Sequence, residues 1–158
     1  MMKTPIAATF VLGLVLSTPV GAYDVNLAGT LNGFYQKFDQ PTLANSKLIM
    51  KAEDFYKDIY AKNKDYFILD VRTDAEASMV NYTMPNSRHI ALNALFSKEN
   101  LDQLPRDKTL IVACHSGVRS LLAAVNLKML GFKDVHSLEG GIVAFANATT
   151  PKTTLVAR

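Results

Sequence analysis

A continuous apolar run, Leu110-Ile111-Val112-Ala113, ends at Cys114, the only cysteine of the chain, and a Gly-containing loop then leads into a helix-forming stretch. This hand-over from strand to loop to helix constrains the fold more than any other feature. Residues 66–71, Tyr-Phe-Ile-Leu-Asp-Val, form a second run that is apolar but for Asp70. Runs without alternation suit strands covered on both faces, as in parallel sheets. Further short strands are predicted at 47–50, 88–91 and 135–138. Helices are predicted at 26–38, 52–61, 93–96, 99–104, 120–130 and 141–148, and Thr73 or Asp74 caps another. Strands and helices alternate, which predicts an α/β fold with a mostly parallel central sheet and helices on both faces. Ligands of such sheets bind at the C-terminal strand ends, where Cys114 lies.

The N-terminus reads as a secretory signal peptide. Lys3 supplies a positive start, residues 6–16 are apolar, Pro19 breaks the run, and Val20-Gly21-Ala22 is a small-residue cleavage site. The apolar run is short for a membrane span, which needs about 20 residues. The expected organisation is a signal peptide at 1–22, a leader at 23–46 with a helix carrying Leu27, Leu31, Phe34, Tyr35 and Phe38 on one side, a single domain at 47–150 and a tail at 151–158. The expected location is the periplasm or another secreted compartment, with no membrane attachment after cleavage. An unpaired cysteine in an oxidising compartment is either buried and inert or kept for its reactivity.

Composition excludes several function classes. The chain has 17 Lys+Arg against 14 Asp+Glu, a net +3, and setting Lys3 aside leaves an excess of two. No basic cluster interleaves with aromatics, so nucleic acid is not expected as a partner. No His/Cys/Asp spacing resembles a metal site, and neither a Walker loop nor a dinucleotide-binding glycine fingerprint is present, so neither metal nor cofactor is expected.

The loop Cys114-His115-Ser116-Gly117-Val118-Arg119-Ser120 carries the chemistry. Backbone N–H groups of a turn and of a helix start can converge on a sulfur there, and the helix dipole favours its anion. Arg119 adds a full positive charge. Such surroundings lower a thiol pKa from about 8.5 into the range of roughly 3.5–7.5, and the thiolate is the nucleophile. A lone cysteine at a strand end is otherwise a small core hydrophobe, but a core cysteine needs neither a glycine turn nor an arginine beside it.

This segment resembles the active-site loop of the rhodanese-like sulfurtransferases. Two further stretches resemble the family in order along the chain: Asp70-Val71-Arg72 with Glu76, and Gly140-Gly141 followed by a helix bearing Phe145 where the family usually has Trp. At residues 82–90 only Pro85 and the general outline survive, since Tyr82 and Thr83 replace a Gly-His pair and Asn86 replaces a glycine. The resemblance implies that Cys114 takes sulfane sulfur from a small anionic donor such as thiosulfate, becomes a persulfide, and passes the sulfur to cyanide or a thiol, including the thiol of a partner protein. It implies that Arg119 assists the anionic donor and that His115, Ser116, Gly117, Val118 and Ser120 form the cradle. It also implies that Asp70 helps to order the loop, that Arg72 and Glu76 form a structural ion pair, and that Gly140 and Gly141 let backbone approach the loop. Two alternatives stand beside it: a non-catalytic module that binds a redox or sulfur-carrier partner, and a cysteine phosphatase or arsenate reductase. Four residues separate Cys114 from Arg119, one fewer than the phosphatase cradle, which argues against the last.

Overall fold

The computed structural model describes residues 23–38, 41 and 46–150; the expected signal peptide and C-terminal tail lie outside them. Of the described residues, those up to Lys37 and those from Phe38 onward belong to two separate compact units. In the first, helix α1 spans Val25–Tyr35, and the Asp24 side chain caps it by accepting the Leu27 N–H at 3.0 Å. The helix contains no charged residue and buries none of its residues. The apolar side expected of it therefore has no core of its own.

The second unit follows the alternation read from the sequence. Its strands are β1 (Ile49–Met50), β2 (Phe67–Asp70), β3 (Ser87–His89), β4 (Leu110–Ala113) and β5 (Val135–Leu138). Its helices are α2 (Ala52–Tyr60), α3 (Asp74–Met79), α4 (Leu92–Leu95), α5 (Lys98–Leu101), α6 (Val118–Met129) and α7 (Gly141–Ala148). All strand pairs are parallel, in the order β1-β5-β4-β2-β3. β4 is thus the central strand, and every one of its residues is buried.

Period-two alternation along β4 divides its side chains between two cores. Leu110, Val112 and Cys114 join Leu69, Val71, Ala123, Ala124, Leu127 and Val135 on the face covered by α6. Ile111 and Ala113 join Ala52, Phe55, Tyr56, Ile68, Leu138 and Phe145 on the face covered by α2 and α7. Phe145 packs its ring 5.2 Å from Phe55 and 5.9 Å from Tyr82, so phenylalanine fills the aromatic position.

Several boundaries differ from expectation by one to three residues, the first helix ending at Tyr35 rather than 38 and β3 spanning Ser87–His89 rather than 88–91 among them, and two differ for identifiable reasons. β1 is shorter than 47–50 because Lys47 has φ 41 and leaves extended backbone. α6 starts two residues earlier than expected because Gly117, at φ 102, serves as its N-cap. That second difference places Arg119 and Ser120 inside the first helical turn, whose N–H groups have no intrahelical acceptor.

Candidate active site

Strand geometry aims the thiol. Cys114 continues the alternation of Leu110 and Val112, so its side chain faces the start of α6. The Gly117 N–H donates to Sγ at 3.1 Å, and Sγ lies 3.6 Å from Ser120 Oγ. Burial pushes the thiol pKa up, but hydrogen bonds from the Ser120 hydroxyl and from the N–H groups of Ser120, Gly117 and Ser116 outweigh it, so the thiol ionises below its ordinary value. The residue is only 1 % exposed. The rim outside it is open: His115 and Ser116 are exposed, and Val118 is 68 % exposed.

The helix α7 fixes the loop from behind. Ile142 N–H donates to the Cys114 carbonyl at 2.8 Å and Val143 N–H to the His115 carbonyl at 3.4 Å. Tying down these carbonyls turns the peptide groups so that following N–H groups face the sulfur. The approach leaves no space for a side chain. A Cβ on Gly141, at φ 57, would lie 2.3 Å from the Cys114 carbonyl oxygen and 2.6 Å from that of His115. Gly140 also has left-handed backbone, at φ 66, and a Cβ there would meet Ala144 Cβ at 2.5 Å.

The arginines are partnered differently from the ion pair implied by the resemblance. Arg72 pairs with Asp70, not with Glu76: Nη2 lies 2.6 Å from Asp70 Oδ2 and Nε 2.9 Å from Oδ1. The chain bends at Arg72 just after β2 ends, and the Asp70 carboxylate also accepts the Arg72 backbone N–H at 3.1 Å. Both are buried, and Arg72 also donates to the Val80 carbonyl at 2.6 Å. Asp70 therefore spends its carboxylate on Arg72, and its register partner Ala113 is its link to the loop. Glu76 instead receives the Arg119 fork, with Nη1 at 2.7 Å from Oε2 and Nη2 at 2.6 Å from Oε1. Thr73 and Glu76 form a capping box at the start of α3, and the Thr73 hydroxyl donates to Oε2 at 2.8 Å. The Arg119 hydrogen bond holds the Glu76 carboxyl well below the usual 4.5, and the same bond raises Arg119. Arg119 is also electrostatically coupled to Cys114.

A cavity of about 400 Å³ opens on the Arg119 side, lined by Arg72, Thr73, Leu92 and Asn93 among others. Among the described residues no group of three or more His, Cys, Asp or Glu is placed to hold a metal ion, and no helix is long and apolar enough to cross a membrane.

One residue of the site escaped the sequence reading. Ser137 of β5 lies 2.9 Å, Oγ to Oγ, from Ser120. The signal available for it was a hydroxyl inside a strand expected to be buried beside the cysteine-bearing strand.

The geometry defines a class first: a parallel α/β domain holding one thiol at a strand's C-terminal end, against the N-terminus of the following helix. The family model for the Rhodanese-like domain matches residues 51–148, and the chain belongs to this family. Among its relatives, a sulfurtransferase of Allochromatium vinosum is 29% identical over 91 residues, 58% of this chain and 81% of that protein. The "Probable adenylyltransferase/sulfurtransferase MoeZ" of Mycobacterium tuberculosis is 37% identical over 84 residues, 53% of this chain. A tRNA uridine(34) hydroxylase of Onion yellows phytoplasma is 37% identical over 87 residues, 53% of this chain. The chain spans only 21% and 28% of the lengths of these last two relatives. A solved rhodanese-related protein from Thermoplasma volcanium is 35% identical, with a TM-score of 0.51, over 65% of this chain and 94% of that one.

Proposed function

We propose that this protein is an exported sulfurtransferase that moves sulfane sulfur from thiosulfate or a similar anionic donor, through a Cys114 persulfide, to cyanide or a thiol. The observation that carries this reading is the Gly117 N–H on Sγ at 3.1 Å, with the Ser120 hydroxyl 3.6 Å away. Kinship with named sulfurtransferases supports it.

The chemistry needs no redox partner. The Cys114 thiolate attacks the outer sulfur of thiosulfate, a new S–S bond forms, the old S–S bond breaks, and sulfite leaves with its electron pair. The persulfide anion then occupies the same N–H cradle, which stabilises its charge without reorganisation. Cyanide or a thiolate attacks the outer sulfur, and Cys114 leaves as the thiolate. Arg119 lies at the rim where the donor's oxygens enter; its fork is held by Glu76, so it engages the oxyanion by exchanging Glu76 for it.

Incubation with thiosulfate is expected to add the mass of one sulfur atom to Cys114, removable by cyanide or dithiothreitol. Cys114→Ser is expected to abolish both the adduct and turnover, because a hydroxyl is neither ionised at neutral pH nor a soft sulfur acceptor. Unchanged turnover in that variant sinks the mechanism. Hydrolysis of an aryl phosphate dependent on Cys114, without sulfur transfer, selects the phosphatase reading instead. Export rests on Lys3, the apolar residues 6–16 and Val20-Gly21-Ala22. Mass spectrometry of the exported fraction is expected to find Tyr23 at the N-terminus, and recovery of the full-length chain in the cytosol overturns that part.

A further inference from the structure

Behind the thiol lies a buried pair of hydroxyls that the mechanism above leaves unused. Ser120 Oγ is 3.6 Å from Cys114 Sγ, donates to the Gly117 carbonyl at 2.8 Å, and lies 2.9 Å from Ser137 Oγ. Ser137 is 2 % exposed and Ser120 fully buried. Ser120 has one hydroxyl hydrogen and two acceptors competing for it. With the thiol protonated, S–H donates to Ser120 Oγ and Ser120 O–H donates to the Gly117 carbonyl. With the thiolate, the sulfur needs a donor, and Ser120 O–H serves it by rotating away from Gly117. The Ser120–Ser137 geometry allows either hydroxyl to donate; with Ser120's hydrogen directed to Gly117 or to the sulfur, Ser137 is the donor. A hydroxyl that accepts a hydrogen bond is a better donor itself.

We propose that Ser137 is a positioning residue for the Cys114 thiolate: its hydroxyl donates to Ser120 and thereby strengthens the Ser120 hydrogen bond to the sulfur anion. This rests on Cys114 being a nucleophile, but not on the identity of the sulfur donor. The charged and titratable groups around the sulfur are otherwise arranged as follows. Arg119 of α6 is coupled to the sulfur and paired with Glu76 of α3. Tyr82 is coupled to it from the segment before β3. Asp70 of β2 is committed to Arg72. α7 carries no charged residue. Ser137 is the contribution of β5.

The test is the rate of Cys114 alkylation by iodoacetamide against pH, measured on the full chain with native circular dichroism as the check on folding. Ser137→Ala is expected to raise the midpoint, lowering reactivity below it by about three- to tenfold. Ser137→Thr, which retains the hydroxyl, is expected to keep the wild-type midpoint. Ser120→Ala is expected to raise the midpoint further, and adding Ser137→Ala to it is expected to change nothing more, because Ser137 acts only through Ser120. The proposal is overturned by an unmoved midpoint in Ser137→Ala. It is equally overturned by a Ser137→Ala effect that persists in the Ser120→Ala background, or by a natively folded Ser137→Thr that shifts as far as Ser137→Ala. Shifts as expected in a protein that transfers no sulfur would remove the proposed function and leave Ser137's role standing. Sulfur transfer with unmoved midpoints does the reverse.

Discussion

Gly141→Ala is the sharpest perturbation of the loop that does not touch a reacting atom. Two effects add. Left-handed backbone costs a residue with a Cβ roughly 1–2 kcal/mol. The new Cβ would also lie 2.3 Å from the Cys114 carbonyl oxygen, where ordinary contact begins at 3.4 Å, so backbone must yield by about 1 Å. Moving the carbonyl that far breaks the Ile142 N–H bond to it, now 2.8 Å, for a further net loss of about 1 kcal/mol. The total is about 2–3 kcal/mol, or a fall in melting temperature of about 10 °C for a domain of this size. Gly131→Ala is the internal control. Its φ is 91 and nothing lies within 4 Å of an added Cβ, so it isolates the backbone contribution of roughly 1–2 kcal/mol. Thermal unfolding followed by circular dichroism gives the difference. Alkylation of Cys114 reads the loop separately, and Gly141→Ala is expected to raise the thiol pKa by withdrawing N–H donors, while Gly131→Ala leaves it unchanged. If the two variants melt together and alkylate alike, the close approach of α7 does not shape the cradle.

Tyr82→Phe is expected to raise stability by about 1 kcal/mol in urea unfolding, because the Tyr82 hydroxyl is buried without a hydrogen-bond partner among the described residues; destabilisation would show that the hydroxyl is satisfied in solution. Asp70→Ala is expected to cost about 3–5 kcal/mol by leaving the Arg72 guanidinium buried and unpaired, read by the same unfolding assay. The Glu76 carboxyl is held below its usual 4.5 chiefly by its hydrogen bond from Arg119, so the stabilisation it lends is complete above 4.5 and is lost as pH falls through the lowered folded value. Glu76→Gln is expected to flatten the acid limb of a stability–pH profile, and an unchanged acid limb would refute the clamp.

Local chemistry was enough to place the elements and to single out Cys114 as the candidate nucleophile. A short run of apolar residues with no alternation suits a strand covered on both faces, and the glycine and hydroxyls after Cys114 mark a strand-to-helix turn. The spacing of Gly140 and Gly141 before an apolar helix carried similar information. These signals act within a few residues of each other, where backbone preference and side-chain periodicity decide. Partner choice does not. Arg72 and Glu76 sit one helical turn apart in the sequence and invited pairing, yet Asp70 at the end of β2 took Arg72, and Arg119, 43 residues away, took Glu76. Ser137 entered the site only because parallel pairing sets β5 beside β4, with Ser137 opposite Val112, two residues before the thiol. The exposed apolar helix α1 was likewise readable as a helix but not as one that buries nothing. Which side chain meets which depends on sheet order and register, and those are set by the packing of the whole domain.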